Sequence, residues 1–295
     1  MIYLYLFLLL NSTILSSFVI NKNIDEDGLY DENLARYKFL PMVAATFYDP
    51  KKCLQNTFTN STFITQTTVG CDPVNEDTCS AFVAVNHDDK AIILAFRGSL
   101  AGMQLLLEGY ETIFDDKEKF PAGGNVSRYF YDAWSLVWNG GLRDGYFNAR
   151  NANPNYEVWI TGHSLGGSMA AIAAANLVYH NYATKDQIKL ITFGEPRGGD
   201  TAFALNIDQN IGYAYRIIHK RDPVPHMPLK GMLGYVHHKS EIFYDNDMSP
   251  GSPFLVCTGI DDDNECSNKY ADLNPFDHLF YFKEISFFGM MGCKK

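Results

Sequence analysis

The chain has 295 residues, 46% of them hydrophobic, and a formal net charge of −10. That length and apolar content suffice for one large α/β domain with a single core, and no linker, repeat or low-complexity tract divides it. The acidic balance and the absence of any basic cluster argue against a nucleic-acid partner and against strong attraction to anionic lipid head groups.

Residues 1–10 are almost wholly apolar, Asn11-Ser12-Thr13 interrupts them, and Ser16 and Ser17 follow. This reads as a secretory signal peptide over 1–17, cleaved near Ser17, which leaves 18–295 as one mature domain. No Lys or Arg precedes the apolar run, so an uncleaved anchor reaching Ile20 is the alternative. Either way the remainder is translocated and extracellular, and the run is too interrupted for a stable membrane span.

Helical spacing over 32–48 carries a kink or break at Pro41. Strands are expected at 63–69 and 81–85, a turn at 86–89, and an apolar strand at 91–96 running into Arg97-Gly98-Ser99. Helices at 131–138 and 141–150 are separated by Asn139-Gly140-Gly141. A strand at 157–161 precedes a helix over 165–180, whose small face of Ala170, Ala171, Ala173 and Ala174 permits close approach to a sheet. Further strands are expected at 189–193, 213–219 and 241–244. Strands alternating with helices predict a mostly parallel sheet covered by helices on both faces, with reactive groups at the carboxyl ends of its strands.

Six cysteines without any Cys-x-x-Cys pair fit an oxidising compartment and no zinc site. The expected pairing is Cys71–Cys79 and Cys257–Cys266 as local staples, with Cys53–Cys293 tying the N-terminal helix to the C-terminus. The sequons at Asn60 and Asn125 agree with secretion.

Gly162-His163-Ser164-Leu165-Gly166 stands between a β-branched, aromatic run and an alanine-rich one. Strand, sharp turn and helix place a serine at the apex, where the next helix points its free N–H groups at whatever reacts. Ser164 is therefore a candidate nucleophile for acyl transfer, against the plain alternative of a glycine-rich strand–helix junction. Asp222 follows the 213–219 strand directly, and Pro223 keeps it out of helix, a rigid seat for a carboxylate that orients a histidine. Adjacent His163 cannot reach Ser164 as a base. His219, His226, His237 and His238 read as packing or loop residues. His278 comes last of the eight histidines and opens an aromatic-rich stretch expected to be helical. The order Ser164, Asp222, His278 is that of an α/β-hydrolase.

Phe96-Arg97-Gly98-Ser99, the elbow with Gly167, Phe193-Gly194-Glu195-Pro196-Arg197-Gly198-Gly199, Asp222-Pro223-Val224-Pro225 and Asp277-His278-Leu279-x-Tyr281-Phe282 together resemble the class 3 lipases, the fungal triacylglycerol lipases and their animal relatives. The resemblance implies an α/β-hydrolase fold, with Ser164 as nucleophile, Asp222 as acid, His278 as base, and Ser99 beside the Leu165 N–H as the oxyanion hole. Each such donor contributes about 3–4 kcal/mol to transition-state stabilisation. A helix-capping hydroxyl is the plain reading of Ser99, and the two are compatible.

Residues 100–108 follow Ser99. Their Leu100, Met103, Leu105, Leu106 and Leu107, with Glu108, resemble a lid that opens at a lipid–water interface. Gln104-Leu105 and Glu108 depart from the fungal lid, which has asparagine and tryptophan, then aspartate; an ordinary buried helix is the alternative. Asp261-Asp262-Asp263-Asn264-Glu265 lacks the spacing and glycine of a calcium loop and reads as a solvated acidic loop. No metal or other cofactor is expected, and the protein is expected to act as a monomer. The implied reaction is hydrolysis of lipid esters, most readily acylglycerols. A phospholipase or a feruloyl-type esterase is the alternative, and a catalytically silent lipid-binding protein is the reading of another class.

Overall fold

Alternation along the strands sorts side chains onto two faces of one sheet. In a computed structural model, which describes residues 30–71, 78–98, 113–259 and 265–294 and the backbone of 18–20, the strands run in chain order as follows. They are β1 (Phe18–Ile20), β2 (Ser61–Gly70), β3 (Thr78–Asn86), β4 (Ala91–Phe96), β5 (Lys117–Lys119), β6 (Asn125–Ser127) and β7 (Glu157–His163). Then come β8 (Ile188–Phe193), β9 (Gly199–Asp200), β10 (Tyr213–His219), β11 (Tyr235–Val236), β12 (Glu241–Tyr244) and β13 (Phe254–Cys257). The main sheet has nine strands in the order β1-β13-β12-β10-β8-β7-β4-β3-β2. Neighbours from β4 through β7, β8 and β10 to β12 are parallel, and the outer strands are antiparallel. The mostly parallel sheet is what the alternation of elements predicts, and the fold is the α/β hydrolase that the resemblance implies.

Ile92, Leu94 and Phe96 of β4 enter one core, with Val158 and Ile160 of β7. Ala91, Ile93 and Ala95 enter the other, with Trp159 and Phe193. Helices Arg128–Val137, Arg143–Ala152, Leu165–Tyr179 and Thr201–Asn210 cover the first face. The N-terminal helical segments and the C-terminal helix Ile285–Met290 cover the second. Because both faces are buried, the central strands are continuously apolar rather than alternating with polar residues.

Registers align the strand ends. Phe96 is opposite Gly162, His163 opposite Phe193, and Phe193 is level with Ile217. The carboxyl ends of β4, β7, β8 and β10 therefore meet at one edge, where the elbow, Gly194 and the segment leading to Asp222 lie.

Two expectations need correction. The N-terminal helix is interrupted upstream of Pro41, not at it. Residues Ala35–Phe39 form a π turn closed by Leu40 N–H donating to the Ala35 carbonyl. The wider turn accommodates the hydrogen bond that Pro41 cannot donate, and helix resumes over Leu40–Ala45. The helix pair is broken where expected, at Asn139-Gly140-Gly141: Gly141 adopts the non-helical φ 133° and ψ −13° between Arg128–Val137 and Arg143–Ala152. Finally, His278 does not open an aromatic helix. It lies in a 3₁₀ turn, Pro275–Leu279, that Asn274 caps, and Phe280–Tyr281 then pairs with Lys283–Glu284 as a two-stranded hairpin turning at Phe282, φ 58°. Aromatic residues favour the pleated arrangement over helix here.

Disulfides join Cys53 to Cys293, Cys71 to Cys79 and Cys257 to Cys266. Asn60 and Asn125 are both exposed, and the Asn125 amide donates to Asp200 at 2.6 Å. Among the described residues no helix is long and apolar enough to cross a membrane. The expected signal segment, Ser99, the expected lid (100–108) and Asp261 to Asn264 lie outside the described residues.

Candidate active site

Ser164 sits between β7 and helix Leu165–Tyr179 with φ 57° and ψ −131°. A non-glycine residue held there costs about 1–3 kcal/mol, so the surroundings must enforce it. They do so by close approach. A Cβ on Gly162 would lie 2.0 Å from the Gly166 carbonyl oxygen, and one on Gly166 would lie 2.4 Å from that of Phe96. Ser164 N–H donates to the Phe193 carbonyl at 2.9 Å, which pins the apex to the end of β8. Leu165 is the first residue of the helix, so its N–H has no partner within it. A narrow recess beside the elbow is lined by Gly98, Tyr129, Phe130, Ala133, Leu165 and Met169.

Asp222 is fully buried beyond the end of β10. One carboxylate oxygen accepts the Val224 N–H at 2.8 Å. The other accepts from His278 Nδ1 at 2.8 Å and from the Tyr281 hydroxyl. Burial alone would raise the Asp222 carboxyl; the positive charge available on His278, with the hydrogen bonds from His278, Tyr281 and Val224, outweighs it and holds the group below its usual range. Burial first, and then the neighbouring carboxylate, hold the Tyr281 phenol well above its ordinary value, so it remains a donor. Because Nδ1 faces a carboxylate, neutral His278 carries its hydrogen there, which leaves Nε2 as the basic nitrogen.

Gly194, φ 57°, closes the gap between these groups and the elbow. A Cβ there would lie 2.8 Å from Asp222 Oδ2, 2.9 Å from His278 Nδ1 and 2.9 Å from the Tyr281 hydroxyl. Among the described residues, Ser164 Oγ and His278 Nε2 are buried and neither has a hydrogen-bond partner. Two orphaned polar atoms in one buried site are expensive in a structural role and are what a nucleophile and base awaiting substrate present.

Three of the other histidines fall outside this constellation. His226, His237 and His238 are buried behind it; His237 Nε2 donates to the Pro225 carbonyl, and His238 Nε2 lies 3.4 Å from the Glu195 carboxylate. Glu195, which has no role legible in the sequence, also accepts the Thr192 hydroxyl at 2.6 Å and packs its Cβ against Gly167. Sequence reasoning missed Tyr281 and Gly194 as parts of the site. The only available signal was their presence in the motif stretches.

A family model described as lipase (class 3) matches residues 93–232. Lipase ZK262.3 of Caenorhabditis elegans is 34% identical over 301 residues, which span 91% of this chain and 84% of that protein. The secreted mono- and diacylglycerol lipase 1 of Fusarium solani is 32% identical over 215 residues, spanning 70% of this chain and 60% of that one. The crystal structure of a lipase from Rhizopus microsporus var. chinensis matches with a TM-score of 0.74 and 25% identity, covering 86% of this chain and 88% of that one. This chain belongs to the class 3 lipase family and is a carboxylic ester hydrolase that acts on lipid esters.

Proposed function

We propose that the protein is a secreted acylglycerol lipase working through an acyl-enzyme on Ser164. The observation that carries this reading is the buried Asp222–His278 pair at 2.8 Å, seated with the Ser164 elbow around Gly194, with Ser164 Oγ and His278 Nε2 both unpaired among the described residues.

Ser164 Oγ attacks the ester carbonyl carbon while His278 Nε2 takes its proton. Asp222 keeps the Nδ1–H tautomer and stabilises the imidazolium. The carbonyl oxygen becomes an anion held by the Leu165 N–H and Ser99. Collapse breaks the ester C–O bond, and His278 returns the proton to the departing alcohol. Water, deprotonated by His278, then attacks the acyl carbonyl, and the fatty acid leaves with Ser164 restored. The three disulfides and the secreted Fusarium solani relative support an extracellular site of action. An apolar lid over residues 100–108 is part of this proposal.

The test is hydrolysis of short- and long-chain acylglycerols below and above their solubility limits. A rate jump on emulsified long chains supports a lipase with a working lid. Activity confined to soluble short esters contradicts the acylglycerol reading, and hydrolysis of phospholipids alone replaces it with a phospholipase.

A further inference from the structure

We infer that His163, the elbow residue before the nucleophile, is a positioning residue for the catalytic base. Its Nε2–H holds the His278 main-chain carbonyl, and its ring supports the His278 imidazole. The inference rests on the roles proposed above for Ser164 and His278.

The base is carried by a segment that needs holding. Phe276, Leu279 and Phe280 around it are 78%, 43% and 45% exposed, whereas His278 itself is 1% exposed. Two histidines from the carboxyl ends of β7 and β10, the strands on either side of β8, reach this segment at consecutive carbonyls. His219, the last residue of β10, sets Nδ1 3.1 Å from the Asp277 carbonyl and Nε2 3.0 Å from that of Asn246. His163, the last residue of β7, donates from Nε2 to the His278 carbonyl at 2.8 Å. The acceptor is a carbonyl oxygen, so the hydrogen must lie on Nε2 of His163. The nucleophile and the backbone of its base are thus tied to each other by adjacent residues of one turn.

The second contact is between rings. His163 and His278 lie 4.3 Å apart between centroids, inclined by 30°. The titratable groups facing His163 are His278, Asp222 and Tyr281, the last 5.7 Å away edge-on. Burial first, and then the neighbouring His278, press the His163 imidazole down to about 3. It is therefore neutral throughout the range in which a histidine base works. When Ser164 gives up its proton, His278 becomes a cation beside a neutral aromatic face. That arrangement is attractive, whereas a second cation would repel.

Two substitutions separate the contacts. His163→Phe keeps a ring and removes the donor; His163→Gln keeps a donor and removes the ring. Hydrolysis of a soluble short-chain ester is measured against pH, with rates normalised to active sites titrated by a fluorophosphonate. In His163→Phe, kcat should fall about tenfold with KM within about twofold, the size expected for losing one positioning hydrogen bond. Its acidic limb should stay where it is. In His163→Gln that limb should move to lower pH, because the imidazolium has lost its supporting face. Wild-type kcat and pH profile in both variants would overturn the inference. So would losses that vanish on normalisation to titrated sites, which mark a purely structural role. A wild-type protein that neither hydrolyses the ester nor takes the label would instead defeat the proposed reaction itself.

Discussion

Gly194→Ala places a single methyl group at the junction on which the proposed chemistry depends. The new carbon would stand 2.8–2.9 Å from an Asp222 oxygen, the His278 ring nitrogen and the Tyr281 hydroxyl, about half an ångström inside ordinary contact with each. The backbone cannot retreat, because Gly194 N–H donates to the Ile217 carbonyl at 3.0 Å and Glu195 is anchored through Thr192. The acid and base must yield instead. Alanine at φ 57° also costs about 1–2 kcal/mol in backbone strain. A displacement of this size at the proposed acid–base pair should lower kcat by roughly 10- to 100-fold, or about 1.4–2.7 kcal/mol in the barrier. Gly251→Ala is the control. It has φ 81° with nothing within 4 Å, so it carries strain without collision and should leave kcat unchanged. Both are assayed on a soluble short-chain ester per titrated active site. Wild-type kcat in Gly194→Ala would refute the reasoning that this junction is catalytic.

Other substitutions follow from the same geometry. Asp222→Asn should lower kcat by up to about 10⁴-fold, since the amide favours the wrong His278 tautomer, with the fold intact by circular dichroism. Tyr281→Phe removes a donor to the Asp222 carboxylate and should cost about five- to tenfold in kcat, with the effect read as kcat rather than KM. Acid should destabilise the protein through His163. Its folded value, about 3, lies below its unfolded one, so the unfolded state binds the extra proton and stability falls progressively from about pH 6.5 towards 3. Melting temperatures over that range should fall less steeply in His163→Phe than in the parent; equal slopes would contradict the assignment. Replacing Cys53 and Cys293 by serine opens a cross-link spanning 240 residues and should lower stability by up to about 5 kcal/mol in denaturant titration.

The central strands were legible because two buried faces force continuous apolar runs. The elbow was legible because its glycines are the residues such a bend requires. Asp222 and His278 could be chosen among many acids and eight histidines by chain order and by the Pro223 restriction. What escaped was tertiary. Tyr281 bonds Asp222 only because a hairpin at Phe282 folds the aromatic stretch back, and an aromatic run looks alike in helix and strand. Adjacency correctly ruled out His163 as a base for Ser164, but a contact spanning 115 positions to the His278 carbonyl has no local trace. The π turn before Pro41 escaped because proline announces a missing donor without saying which residue compensates. The short strands β9, β11 and β13 carry two to four residues each, too few to show a period.

The central claim is that Ser164 forms the acyl-enzyme. It is tested most directly by reacting the protein with a fluorophosphonate, mapping the adduct by peptide mass spectrometry, and assaying ester hydrolysis beside Ser164→Ala. The account predicts one adduct per chain, on Ser164, with labelling and hydrolysis both lost in the variant. An adduct elsewhere, or hydrolysis that survives Ser164→Ala, would contradict it.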